Sequence, residues 1–454
     1  MPAVSFLSIR SRHAALAACV VLLVACASPL APPAARPVAD LSRQVLGARD
    51  GWAAAGSGTT GGAKAAAAQV FDVRNRAELV AALGAARVAP AASLPRIVRV
   101  HGRIDLSVDD ANRAIGFDAY RDPGFSWDAY SRAYDPAAWA KKPPAGPLEA
   151  ARERSAQNQA ARVVLRVPSH TSLVGMGTDA KIVNGMLLLD KVENIIIRNI
   201  HFADAFDHFP GWDPKDNAGG EWNSEYDNIS LRGARHVWVD HCTFSDGERT
   251  DDTARTAFGR PMQHHDGLLD ITLQSSFVTV SYNHFKMHEK TNLVGSSDNE
   301  TADEGQLKVS FHHNLWENTK ERAPRVRFGQ VHVYNNLYVA RQTQPYAHGY
   351  SIGVGFRSSI VSQHNVWETP AEITAPRLTK LWKGSAFSDR GSLLNGRPVD
   401  LLAGLREANP GATLSDAPGW APTLHGEIDP AAEVARNVRA SAGSGRIPMA
   451  SAGQ

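Results

Sequence analysis

Between residues 195 and 370 the chain repeats itself, and the spacing of the copies restricts the fold more than any other feature. Four copies read Val237-Trp238-Val239-Asp240-His241-Cys242-Thr243-Phe244, Val278-Thr279-Val280-Ser281-Tyr282-Asn283-His284-Phe285, Val309-Ser310-Phe311-His312-His313-Asn314-Leu315-Trp316 and Val331-His332-Val333-Tyr334-Asn335-Asn336-Leu337-Tyr338. A last copy ends Asn365-Val366-Trp367, and Ile195 to Phe202 is a looser first one. Each is a short run of alternating β-branched residues bounded by turn formers, the pattern of a strand. Asn314 and Asn336 are 22 residues apart, Asn336 and Asn365 are 29, Asn283 and Asn314 are 31, and Cys242 precedes Asn283 by 41. A shortest period near 22 with variable longer ones describes a solenoid whose turns carry inserted loops. No amphipathic helix separates the copies, which argues against an α/β repeat. The expected fold is all-β: a single-stranded right-handed parallel β-helix. Asn at equivalent turns would hydrogen-bond to its neighbours and tolerate αL geometry. Cys242 shares that register and is expected to be buried.

The flanks read as accessories. Residues 1–25 carry Arg10 and Arg12, then the apolar run Ala14 to Ala25 with no acid, which is a secretory signal too short to span a bilayer. The run ends Leu23-Val24-Ala25-Cys26, like a bacterial lipoprotein box; ordinary cleavage after Ala27 is the competing reading. The expected location is therefore an outer-membrane-anchored lipoprotein or a secreted protein, with a possible lipid on Cys26. Residues 26–48 are expected to be a Pro/Ala-rich tether and 49–454 the solenoid domain, with 107–160 as an inserted lobe and 371–454 as a wrapping tail. The lobe's Tyr120, Phe125, Trp127, Tyr130, Tyr134 and Trp139 are expected to form its core. The body keeps one cysteine, so no intramolecular disulfide forms. No later apolar run is long enough to span a membrane, and a monomer is expected.

The 454 residues are 43% hydrophobic and 21% charged, which excludes a disordered chain and a multispan membrane protein. The formal charge of +2 comes wholly from Arg10 and Arg12; without them 46 bases face 46 acids. No global field would hold nucleic acid or another polyanion, so an acidic partner needs a local patch. Two local features fit one. Asp227, Asp266 and Asp270 offer hard oxygens suited to Ca²⁺, and an extended 266–270 stretch would place Asp266 and Asp270 on one face. On spacing alone they would read equally as solvated turn residues. The stretch Lys320-Glu321-Arg322-Ala323-Pro324-Arg325-Val326-Arg327 places four cations in eight residues, an anion site or a solubilising strand edge. Lys290 directly follows a repeat strand.

Taken together, these segments resemble the pectate lyases of polysaccharide lyase family one, in particular the secreted bacterial branch. The matching stretches are Gly51-Trp52, Thr171 to Gly177, Ile195 to Asn199, Val237 to His241, Asp266 to Thr272, Lys290 to Gly295, Arg322-x-Pro324-x-x-Arg327 and Gly419 to Thr423. The resemblance spans nearly all of the chain after the leader. It implies Ca²⁺ as cofactor, held by Asp227, Asp266 and Asp270, with Glu225 where some members place a further acid. It implies that Lys290 and Arg327 bind the substrate carboxylate and that Arg322 abstracts the proton. Asp240 and His241 belong to a family signature, but their strand context suggests core hydrogen bonding. The implied activity is endo-acting cleavage of polygalacturonate by β-elimination. The rivals are a pectin lyase on methyl-esterified chains, a hydrolase using Asp266 and Asp270, and an inactive surface pectin-binding protein.

Overall fold

The computed structural model describes residues 40–84, 93–341 and 345–447; the leader, Cys19 and Cys26 lie outside them. Each repeat forms two short strands joined at a corner, and a third strand completes the turn of the coil. One face, the first sheet, holds eight parallel strands among the described residues: Val164–Arg166, Met186–Asp190, Ile229–Arg232, Leu269–Thr272, Leu293–Val294, Arg325–Val326, Ile352–Val354 and Thr379–Leu381. The other two faces are continuous with each other, because the long strands Arg96–Asp105 and Thr171–Val183 turn the corner between them. The expected all-parallel coil is what the chain forms.

The in-register stacking explains the repeat. Ile195, Val237, Val278, Val309, Val331, Ile360 and Phe387 form one inward column, each fully buried. The aromatics that end the repeats form another: Phe202, Phe244, Phe285, Trp316, Tyr338 and Trp367 stack with centroids 4.5 to 5.4 Å apart. At the corner between them runs the asparagine ladder. The backbone N–H of Asn283 donates to Asn314 Oδ1, that of Asn314 to Asn336 Oδ1 and that of Asn336 to Asn365 Oδ1, at 2.9, 2.9 and 3.0 Å. The left-handed geometry falls one residue earlier than expected, on His241, Tyr282, His313, Asn335 and His364. The ladder asparagines thus spend their side chains on their neighbours, and the preceding residues make the turn. Cys242 begins the ladder: its N–H donates to Asn283 Oδ1, and burial pushes its thiol up to about 12.

Two boundaries move. Residues 40–48, expected in the tether, already pack on the coil: Leu41 and Leu46 are buried, and Asp40 pairs with Arg99 at 2.7 Å. Residues 379–394, expected in the wrapping tail, form one further turn, with Thr379–Leu381, Ala386–Arg390 and Leu393–Leu394 all in register with the strands before them. Its residues lack the repeat's asparagine, since Ser392 stands at the ladder position. After that turn, helix Leu401–Ala408 buries Leu401, Leu402 and Leu405 against it, protecting the open strand edge. Helix Ala431–Ser441 then lies along the strands 337–339 and 366–368. The inserted lobe is helical, with Pro147–Val163 its longest element. Its aromatics are core: Phe125, Trp127, Tyr130 and Tyr134 pack edge to face, and Trp127 meets Trp222 of a neighbouring loop.

Candidate functional site

Loops that lead from the third strand of each turn into the first sheet carry Asp227, Asp266 and Arg322 and end close to Asp270 and Lys290, while Arg327 follows the first-sheet strand Arg325–Val326. Asp227 closes loop 204–228, just before the strand Ile229–Arg232; Asp266 lies in loop 246–268; Asp270 sits on the strand Leu269–Thr272. The strand begins at 269, so strand alternation does not align Asp266 with Asp270 as expected; the loop brings them together instead. His288 holds that loop. Its Nε2 lies 2.7 Å from the carbonyl of Asp266 and its Nδ1 is bonded to Asp246, which also accepts from Tyr346. Both partners of the His288 ring are acceptors, so both ring nitrogens donate. Nothing local in the sequence marked these three residues, because the contacts join segments 20 to 100 residues apart.

Asp227 and Asp270 are almost fully buried. Asp227 Oδ1 accepts the backbone N–H of Gly267 at 2.8 Å, and Asp270 Oδ1 that of Leu293 at 2.9 Å. Burial, reinforced by Asp266, pushes the Asp227 carboxyl up to about 7. Burial, then Asp227 and Asp266, raises Asp270 as well. Two buried carboxyls, both raised by burial and by neighbouring acids, form a site deficient in positive charge. Gly267 makes room for them: a Cβ there would lie 2.4 Å from Asp270 Oδ1 and 2.8 Å from Asp227 Oδ1. Among the described residues, no three His, Cys, Asp or Glu side chains are gathered tightly enough to enclose a metal ion by themselves. The three carboxylates offer only hard oxygen donors, the kind a cation such as Ca²⁺ takes, with none of the His or Cys donors that four-coordinate metals favour. Glu225 is exposed, and its backbone N–H donates to buried Asp207.

The cations lie on the next turns. Lys290 ends the strand His284–Lys290, buried, with Nζ 3.6 Å from Asp266 Oδ1. Arg322 sits at the following corner in left-handed geometry (φ 59°), with its carbonyl accepting from Asn292. Its side chain is 18% exposed, and its Nε lies 3.4 Å from Glu321 Oε1 without a hydrogen bond. Burial disfavours its charge, but Asp266, Glu321 and Asp270 outweigh burial and hold the guanidinium above its ordinary value. Arg327 donates from Nε to Asp298 and from one terminal nitrogen to the carbonyl of Gly295, both at 2.9 Å, which leaves its remaining donors for another partner. Asp240 and His241 lie elsewhere: Asp240 is buried, bound by Arg198, His241 and Ser281.

Comparison with known proteins follows the same lines. The family model described as pectate lyase matches residues 146–410. A pectate lyase of Bacillus subtilis (strain 168) is 46% identical over 91% of this chain and 96% of its own. Pectate lyase E of Dickeya dadantii (strain 3937) is 36% identical over 78% and 77%. Among solved structures, a pectate lyase bound to hexasaccharide superposes with a TM-score of 0.86 at 45% identity, covering 90% of this chain and all of that one. A pectate lyase from Acidovorax avenae subsp citrulli gives 0.82 at 36% identity, over 92% and 98%.

Proposed function

The chain belongs to the pectate lyase family and is a polysaccharide lyase; from that premise we propose that it cleaves α-1,4-linked polygalacturonate by Ca²⁺-assisted β-elimination, releasing 4,5-unsaturated oligogalacturonides. The observation that carries this reading is the meeting of three acids with Lys290 and Arg322 on adjoining turns of one face. In the elimination, the C5–H bond breaks, its electrons form the C4=C5 double bond, and the C4–O bond breaks toward the departing sugar oxygen. Bound between Asp227, Asp266 and Asp270, Ca²⁺ would compensate the acids and draw electron density from the substrate's C6 carboxylate. Lys290 and the free donors of Arg327 would orient that carboxylate and stabilise the charge that develops beside it.

Arg322 is assigned the C5 proton, directly or through a hydroxide or water that it holds. Free arginine keeps its proton at any ordinary pH, and here the acids strengthen its charge further. The base role therefore requires burial and the neighbouring Arg325 cation to prevail once the acids are compensated, which predicts activity rising toward alkaline pH.

The test is to follow ultraviolet absorbance of the unsaturated product from polygalacturonate, with and without a Ca²⁺ chelator. Chelator-sensitive absorbance is expected. Absorbance that survives chelation and prefers esterified pectin would indicate the pectin lyase instead, and new reducing ends without absorbance would indicate hydrolysis. Binding of polygalacturonate with no cleavage would indicate the inactive binding protein. An Arg322→Lys variant should keep its melting temperature yet lose most turnover; near-normal rates would remove Arg322 from the role. The same reading extends to the leader, with export and lipidation of Cys26. Fatty-acid labelling that disappears in Cys26→Ser checks it.

A further inference from the structure

The two loops that carry Asp227 and Asp266 are tied to each other at their roots by one buried side chain. His265 is 4% exposed, and its Nε2 lies 3.0 Å from Oδ1 of Asp204, the first residue of loop 204–228. Its Nδ1 lies 2.9 Å from Oδ1 of Asp251, in its own loop 246–268. Both partners are carboxylates, so both ring nitrogens donate. Neither carboxylate is free to turn away. Asp204 also accepts from Arg249 Nε at 2.9 Å, and Asp251 accepts from the backbone N–H groups of His264 and His265 at 3.1 and 3.2 Å.

From Asp251 the bonds run in a ring back to the residue after His265. The Asp251 N–H donates to Tyr346 Oη at 2.8 Å, and Tyr346 Oη donates to Asp246 Oδ2 at 2.6 Å. Asp246 holds His288, which holds the Asp266 carbonyl. The Asp266 N–H in turn donates to the carbonyl of Tyr226, the residue before Asp227. Asp266 is therefore gripped on both sides of its peptide, and His265 stands beside it in the chain. Farther out the loops meet again, where Trp222 Nε1 donates to the carbonyl of Ala257 and the Trp222 ring stacks on Phe258 at 5.2 Å. Apolar packing holds the tips together but sets little direction. The roots need more, because Asp227 and Asp266 repel each other. Buried, fully bonded charges hold one geometry, since moving any of them strands its partner.

We propose that His265, backed by Asp251 and Tyr346, is a positioning residue: it fixes loops 204–228 and 246–268 as one body and so sets the spacing of Asp227 and Asp266 for a divalent cation. The cation rests on the reading of the chain as a Ca²⁺-assisted lyase. The clamp rests on the geometry of the loops alone.

Tyr346→Phe removes one hydroxyl from the ring and leaves His265 and the acids in place. Calorimetric titration of the full chain with calcium chloride should give a Kd raised about threefold to tenfold, the range of one hydrogen bond. At saturating Ca²⁺ its KM for polygalacturonate should equal that of the wild type. An unchanged Kd overturns the proposal, and so does a raised KM, which would place Tyr346 on the substrate. The same rise in Kd for Asn314→Ala, weakened in the ladder at another corner of the coil, also overturns it, because Ca²⁺ affinity would then follow stability alone. Amide hydrogen exchange separates the two levels. In His265→Gln, exchange should quicken together in 204–228 and 246–268; quickening confined to one loop overturns the clamp. If the wild-type chain gives no heat with Ca²⁺, the cation reading fails and exchange still decides the clamp. If His265→Gln does not fold, the same exchange comparison is made in Tyr346→Phe.

Discussion

Gly267 shows how one missing side chain shapes the site. Its N–H donates to Asp227 while its bare Cα lets the carboxylates of Asp227 and Asp270 draw together. Alanine at 267 would press a methyl group between two oxygens that have nowhere to go except out of their hydrogen bonds. Gly267 does not adopt positive φ, so the backbone itself tolerates alanine. The expectation for Gly267→Ala is a folded protein whose kcat/KM falls at least about tenfold, the loss of one or more well-placed interactions. More Ca²⁺ should be needed for half-maximal rate. Steady-state rates across a Ca²⁺ titration check it; an unchanged Ca²⁺ requirement would mean that the carboxylates do not act as a pair. His288 works at the same scale from outside the site, fixing the Asp266 carbonyl through a ring whose two nitrogens both donate.

At the scale of the element, the asparagine ladder outweighs any single strand. Asn314 Oδ1 accepts from the backbone and side chain of Asn283, and its Nδ2 donates to Val280 O and Asn336 Oδ1, at 2.9 to 3.1 Å. All of this is buried, so deletion leaves donors and acceptors stranded without water. Asn314→Ala should cost about 2–4 kcal/mol, more than an ordinary surface change. A urea midpoint lowered with an unchanged slope would report it; a loss under about 1 kcal/mol would mean that the turn repairs itself. The ladder was legible because it repeats, and each copy confirmed the next. The turn at 379–394 was not, because serine replaces asparagine at its ladder position and only register with 352–363 reveals it. The site divides in the same way. Its acids and cations are chemical types that stand out in sequence, and the resemblance supplied their roles. The loop contacts of Asp246, His288 and Tyr346 depend on which turns become neighbours, which composition and local spacing do not encode.

For the whole molecule, individual buried groups set much of how stability changes with pH. The groups divide by sign. Burial holds His201 and His332 near 3 and His208, His313 and His348 near 4, so the unfolded chain binds their protons first and stability falls as pH drops below about 6.5. Asp207 and Asp389 act in the opposite direction. Burial raises both to about 6, so the folded state binds their protons first and gains stability as pH falls from about 6 to the unfolded value near 4. Above pH 4 these two sets partly offset each other. Below pH 4 the offset ends, because Asp207 and Asp389 are protonated in both states. There the acids with depressed values take over. Burial opposes the Asp240 charge, but His241, Arg198 and Ser281 together hold its carboxyl near 2, so its contribution is complete above about pH 4 and lost as pH falls through about 2. A shift of that size in a fully buried group is worth on the order of 2 kcal/mol. Stability should therefore fall steeply between pH 4 and 2, with unfolding at pH 3 taking up about two protons or more. Asp240→Asn should lower stability by a similar amount at pH 7, and its deficit should shrink toward pH 2 as the wild-type carboxyl is protonated. Denaturation free energies measured across this interval for both proteins test it: a deficit that stays constant with pH would show that the Asp240 network stabilises the coil through packing and not through its charge.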